Sequence, residues 1–366
     1  MRFNVARGEL LESLSIVGKG LSSRSTLPIL SGLLFIAEGE NVIIQSTDLE
    51  VSIKNSLKAS VEEEGQAVLP GKLLTDIIRS LPEAAITIII EKDSASIECG
   101  TASFTLHTLP AGDFPKFPEI SVDKTINLPL GVISGMTKQV LKAVSKDETR
   151  PILTGVLLVV EETLIRMVAT DSYRLSVREV NIENPIGENI EVVLPGKALD
   201  EAVKMASLED ALSLGVAENQ VVFSFKNTVF ITRRIEGNFP NYRQLIPKET
   251  ETTFSISRNE LIDTVKRVSL MAQQNTPLRI KVATEDQTVS LSATTQDVGT
   301  ATEDLMANTQ GSDVEIAFNH TFLTDGLLSA PDGDVVVQIV SPLKPGVLKV
   351  SGDEGFLYLL MPVRLG

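Results

Sequence analysis

Tryptophan is absent from this 366-residue chain, cysteine occurs once (Cys99), histidine twice (His107 and His320), and aromatic residues make up 4%. Each scarcity excludes something. A single cysteine permits no internal disulfide and suits a reducing compartment. Two histidines in different parts of the chain, neither in metal-ligand spacing, support no imidazole metal cluster and no repeated catalytic triad. So few aromatics exclude base stacking on aromatic platforms as the main activity. No apolar run approaches the length of a membrane span, and Met1–Val5 opens no signal-peptide core, so a cytoplasmic location is expected. Positive charge is in deficit too: 33 Lys and Arg stand against 48 Asp and Glu, a net charge of −15 at pH 7. That excludes a uniformly basic surface but not a local one, because affinity for nucleic acid depends on where the cations gather.

What is present is an ordinary globular composition, 43% hydrophobic and 22% charged, on a chain long enough for two to four domains. It is also a repeat. Ile165–Val177 has the pattern of two extended segments meeting at a polar corner, Thr170-Asp171. The same corner stands at Thr47-Asp48, and a weaker copy at Gln296-Asp297. The three aspartates are 123 and 126 residues apart. Other features recur at those offsets: Leu27-Pro28-Ile29-Leu30 with Arg150-Pro151-Ile152-Leu153, Leu69-Pro70-Gly71-Lys72 with Leu194-Pro195-Gly196-Lys197, and Phe114-Pro115 with Phe239-Pro240. A period this long implies three similar domains rather than a solenoid. Helical spacing marks a first helix in each copy: Leu10, Leu11, Leu14 and Val17; Met136, Val140, Leu141 and Val144; Leu261, Ile262, Val265 and Val268. Second helices follow the Pro-Gly-Lys turns, with Leu73, Leu74, Ile77 and Ile78 and then Leu199, Ala202 and Val203 as apolar faces. β-rich runs lie between them. The expected fold is α+β, in domains 1–121, 122–248 and 249–366.

Chemistry is hard to find. The Pro-Gly-Lys turns lack the spacing and the Ser or Thr of a phosphate-binding P-loop, and read as proline-led helix starts. Asp48, Asp171 and Asp297 fall in three separate domains and read as turn caps, not as one carboxylate site. The charge pattern says more. Lys138, Lys142 and Lys146 recur every four residues opposite an apolar face, Arg150 follows, and Lys72, Arg79 and Lys197 bring cations to the second helices. If these helices face one way, an acidic protein acquires a basic inner surface that holds phosphates without reading bases.

Taken together, Thr26-Leu27-Pro28-Ile29-Leu30 after Arg24, Ala169–Leu175, Phe239-Pro240-x-Tyr242-Arg243 and the terminal Met361–Leu365 resemble the bacterial sliding clamps, the β subunits of DNA polymerase III, over essentially the whole chain. The resemblance implies three clamp domains, each with two helices on antiparallel sheets, in a head-to-tail dimeric ring that surrounds double-stranded DNA without catalysis or cofactor. It implies that Arg24, Lys72, Arg150 and Lys197 face DNA; Arg79, Lys138, Lys142 and Lys146 join them on the charge pattern. It also implies a pocket between the second and third domains for short peptides of polymerases, clamp loader and repair proteins. The matching positions are Leu153, Thr170, Ser172, Tyr173, Arg174 and Leu175; Pro240, Gln244, Leu245 and Leu278; Asn319, Phe322 and Leu359; and Met361, Pro362, Val363 and Arg364. Arg174 and Arg364 are expected at the rim. Ser172 and Tyr173 stand where many relatives have Gly and His, and Gln244 where some have Arg, so the peptide preference does not carry over. A carboxylate enzyme would need a converging constellation that the sequence lacks, and a purely structural repeat would need no basic helical face.

Overall fold

The structure, a computed structural model, describes residues 1–22, 27–122, 124–206, 211–272 and 276–364. Arg24 lies outside them. Among the described residues six α-helices occur: α1 (Arg7–Val17), α2 (Gly71–Ser80), α3 (Leu130–Val140), α4 (Gly196–Met205), α5 (Arg258–Val268) and α6 (His320–Ser329). They alternate with strands that form four antiparallel sheets, so the α+β fold and its two helices per copy stand as expected. No helix among the described residues is long and apolar enough to cross a membrane.

The chain gathers into two compact units, one of residues 1–131 and 201–234, the other of 132–200 and 235–366. In the first, a sheet of eight strands runs from Lys124–Pro129 through Thr228–Arg233 and Val51–Lys58 to Gly65–Pro70, beside a five-stranded sheet that includes Arg2–Ala6. In the second, a nine-stranded sheet runs from Ile190–Pro195 through Arg174–Asn181 and Asp353–Leu360 to Asn308–Gly311, beside a four-stranded sheet. The units do not coincide with the sequence copies. Thr228–Arg233 of the middle copy pairs with Val51–Lys58 of the first, and Arg174–Asn181 pairs with Asp353–Leu360 of the third. Continuous backbone ladders thus tie each half of the middle copy to a neighbour.

The helix faces follow the apolar spacing. Leu10, Leu14 and Val17 of α1 are buried, as are Leu261, Val265 and Val268 of α5. α1 packs on α2 and α5 on α6. Leu73, expected on the buried face of α2, is instead exposed. The two Pro-Gly-Lys turns end a strand at the proline and begin a helix at the glycine. Both glycines sit close to neighbours: a Cβ on Gly71 would lie 2.6 Å from Leu21 Cδ1, so that side chain would have to shift, and one on Gly196 would lie 3.2 Å from the Thr154 carbonyl oxygen. Cys99 is a buried free thiol.

α3 departs from expectation. It ends at Val140 and tightens into a single 3₁₀ turn, Leu141–Ala143, after which Val144 is extended. The Ser145 N–H then donates to the Leu153 carbonyl at 2.9 Å. Lys146 therefore lies beyond the helix, and Lys138, Lys142 and Lys146 do not form one helical stripe.

Candidate functional site

Strands Leu164–Thr170 and Arg174–Asn181 form a hairpin in which Thr170 faces Leu175. Its corner is built by side chains. Asp171 Oδ1 accepts from the backbone N–H groups of Tyr173 (2.9 Å) and Arg174 (3.0 Å). Thr170 Oγ1 donates to the Arg174 carbonyl at 2.7 Å and accepts from the Ser172 N–H at 3.2 Å. These bonds hold Ser172 at φ +78°, where a residue with a Cβ is strained. Thr47 and Asp48 repeat the pattern around Leu49 at φ +77°. The third copy is made differently: Asp297 itself takes the positive φ, and Val298 N–H donates to the Thr295 carbonyl.

Only the middle copy adds an arginine. Arg174 was expected at an exposed rim, but its side chain is 8% exposed. Its Nε donates to Asp171 Oδ2 at 3.0 Å and its Nη1 to Asp325 Oδ2 at 2.6 Å, with Tyr358 Oη at 3.4 Å. The guanidinium lies 4.4 Å from the centre of the Phe322 ring. Burial opposes the charge, yet the surrounding hydroxyl and carboxylates raise the guanidinium above its ordinary value, so Arg174 stays cationic. In return, burial pushes the Tyr358 hydroxyl well above the tyrosine range, and that hydroxyl donates to the Phe322 carbonyl at 3.2 Å. Arg174 therefore supports the site from below.

Around this support the candidate residues separate into walls and rim. Leu153, Leu175, Leu278 and Leu359 are buried, and Thr170 with them. Leu175 faces Leu359 across the ladder, and both belong to a cluster with Val177, Tyr242 and Val347. Tyr173 (61% exposed), Leu245 and Met361 present apolar surface to solvent, and Pro240, Gln244 and Arg364 are exposed as well. Tyr173 stacks on Phe322 with ring centres 6.2 Å apart. Asn319 has a structural duty: its Oδ1 caps α6 by accepting from Thr321 and Phe322 N–H groups, which sets Phe322 in the first turn. The chain end is tied down by backbone bonds, Met361 N–H to the Tyr173 carbonyl (2.9 Å) and Val363 N–H to the Ala317 carbonyl (2.8 Å), with Pro362 half-buried between them. Met361 and Tyr173 are thus neighbours at one apolar patch. Asp325 and Tyr358, which organise that patch, carried no motif and were not anticipated.

Three family models match consecutive stretches of the chain: the DNA polymerase III beta subunit N-terminal domain over residues 1–118, its central domain over 127–241 and its C-terminal domain over 243–364. The chain belongs to the DNA polymerase III beta subunit family. A beta sliding clamp of Staphylococcus aureus is 35% identical over 375 residues, covering 100% of this chain and 99% of the relative. Among solved structures, the DNA polymerase sliding clamp of Bacillus subtilis superposes with a TM-score of 0.93 at 29% identity, covering 100% of both chains. A sliding clamp of Bartonella birtlesii, solved bound to griselimycin, gives 0.93 at 28% over 100% of both. The function is that of a polymerase sliding clamp, a non-catalytic processivity subunit.

In a sliding clamp the cations matter, and the structure distributes them unevenly. Lys72 and Arg79 are exposed on α2, with Arg79 paired to Asp76 at 3.2 Å. Lys197 is exposed in the first turn of α4 and Lys138 near the end of α3, while Lys146 is exposed outside any helix. Lys142 is partly covered and reaches Asp325 Oδ1 at 3.3 Å. Arg150 is exposed, but its Nη1 donates to Ser172 Oγ at 3.0 Å, which sets it beside the candidate pocket.

Proposed function

We propose that two copies of this chain close head to tail into a ring around duplex DNA in the cytoplasm. The ring tethers polymerases, the clamp loader and repair proteins through short peptides bound at the Tyr173–Met361 patch. The observation that carries the reading is the match of all three copies, in order, to the three beta subunit domains. In this reading the three clamp domains span 1–121, 122–248 and 249–366. Leu153, Leu175, Leu278 and Leu359 form the floor of the pocket, and Tyr173, Pro240, Leu245, Phe322 and Met361–Val363 its apolar lining. Thr170 and Asn319 fix its corners, while Ser172, Gln244 and Arg364 supply polar contacts at the edge. Lys72, Arg79, Lys138, Lys146, Arg150 and Lys197, and in part Lys142, face the duplex and meet phosphates without locking a register. Such a ring raises the effective concentration of a weakly held polymerase at its template and forms no new tight contact with the bases.

Retention on DNA tests the topology. Loaded onto a nicked plasmid by a clamp loader, the protein is expected to co-elute with the circle in gel filtration and to be lost when the circle is linearised. Equal retention on both forms overturns the ring. The pocket is tested apart: removal of Met361–Gly366 is expected to abolish binding of a polymerase C-terminal peptide while the dimer persists in sedimentation. Unchanged peptide affinity overturns that assignment.

A further inference from the structure

Asp325 sits on α6, away from every motif in the sequence, and bonds two cations at once. Its Oδ2 accepts from Arg174 Nη1 at 2.6 Å and its Oδ1 lies 3.3 Å from Lys142 Nζ. Arg174 in turn lies 4.4 Å from the centre of the Phe322 ring, and Phe322 stacks on Tyr173. A continuous chain of contacts therefore runs from Lys142, just past the end of α3, to the exposed aromatic edge of the pocket. We infer that Asp325 is a positioning residue of the peptide pocket, holding Arg174 under the Phe322–Tyr173 stack, and that Lys142 acts on peptide affinity through it.

The argument is one of restraint. Arg174 is anchored by Asp171 on its Nε side and by Asp325 on its Nη1 side, so the guanidinium plane is fixed at two points. A planar cation fixed in this way presents its face to Phe322 and fills the space beneath the ring. Asp325 is itself a short side chain with a quarter of its surface exposed, and its orientation is set by having one cation on each oxygen. Removing Lys142 leaves one oxygen free to turn toward water, which loosens the second anchor of Arg174. A phosphate that draws Lys142 away acts in the same direction, so duplex and peptide are coupled through Asp325, and the coupling is reciprocal.

The inference rests on the reading of the Tyr173–Met361 patch as the peptide site, and a double-mutant cycle without DNA separates the two. Affinity for a fluorescent polymerase C-terminal peptide is measured for the intact dimer and for Lys142→Met, Asp325→Asn and the double variant, with thermal melting of each as the folding control. Asp325→Asn is expected to weaken the peptide by about tenfold and Lys142→Met by about two- to threefold, the range of coupled residues in one charge network. In the Asp325→Asn background the lysine substitution is expected to have no further effect. An unchanged affinity in Lys142→Met, or equal losses from it in both backgrounds, overturns the role of Lys142. Unchanged affinity in Asp325→Asn overturns the positioning role. Failure of the unsubstituted protein to bind the peptide, by contrast, overturns the pocket reading itself.

Discussion

Asp48 and Asp171 hold the same turn in two copies, but their surroundings differ by one arginine. Each accepts two backbone N–H groups, and Asp171 also neutralises buried Arg174. Asp48→Ala is expected to cost about 1 kcal/mol, as for ordinary capping bonds. Asp171→Ala leaves a desolvated guanidinium with one carboxylate instead of two and is expected to cost about 2–4 kcal/mol. Denaturant midpoints of the two variants check this, and equal shifts would reject a special role for Asp171. Tyr358 gives a pH dependence with a definite sign. Burial raises its hydroxyl above the tyrosine range, so the folded state keeps a proton that the unfolded chain sheds above pH of about 10. This contribution is fully present below that pH and is lost as the pH rises toward the folded value. Tyr358→Phe is expected to flatten the alkaline limb of stability against pH; parallel limbs in the two proteins would reject it. The corner was legible in the sequence because Thr170, Asp171 and Arg174 are neighbours and their bonds are local. The burial of Arg174 was not, because the groups that draw it inward, Asp325 and Tyr358, are 151 and 184 residues away.

At the scale of the helix, Lys72 and Lys197 are placed against local electrostatics. Each sits in the first turn, where the helix dipole disfavours a cation by about 0.3–1 kcal/mol. The helix dipole does not favour lysine there, which suits the proposal that these two lysines meet phosphate. Lys72→Glu and Lys197→Glu together are expected to raise the melting temperature slightly while reducing transfer onto primed DNA by the clamp loader. A melting temperature that falls, or loading that is unchanged, contradicts the assignment of these residues to the duplex. The helices were readable from apolar spacing, since Leu10, Leu14 and Val17, and likewise Leu261, Val265 and Val268, do bury one face. Where the helix stops was not. The spacing of Lys138, Lys142 and Lys146 continues smoothly, but the bond from Ser145 to Leu153 takes the chain out of the helix before Lys146. A tertiary hydrogen bond outweighed a regular pattern.

In the whole molecule three sequence copies become two compact units because strands pair across copy boundaries. The repeat period could be counted in the sequence, whereas those pairings join segments more than 150 residues apart and leave no local mark. The same scale decides how an acidic chain can stay on DNA. With a net charge of −15, the protein is repelled by a polyanion at long range, and its exposed lysines act only at short range. If contact alone held it, neutralising six to ten phosphates would make affinity fall by about 10³–10⁵ between 50 and 200 mM salt. A closed ring has no such dependence, because leaving requires the dimer to open or the DNA to end. The lifetime of the loaded protein on a nicked circle is therefore expected to change little over that salt range, while the rate of loading is expected to fall steeply if, as proposed, Lys72, Lys138 and Lys197 meet phosphates. Single-molecule dwell times on circular DNA at the two salt concentrations measure the first, and loader-driven association the second. A dwell time that collapses with salt in step with the loading rate would mean that the cations, and not ring closure, hold the protein on DNA.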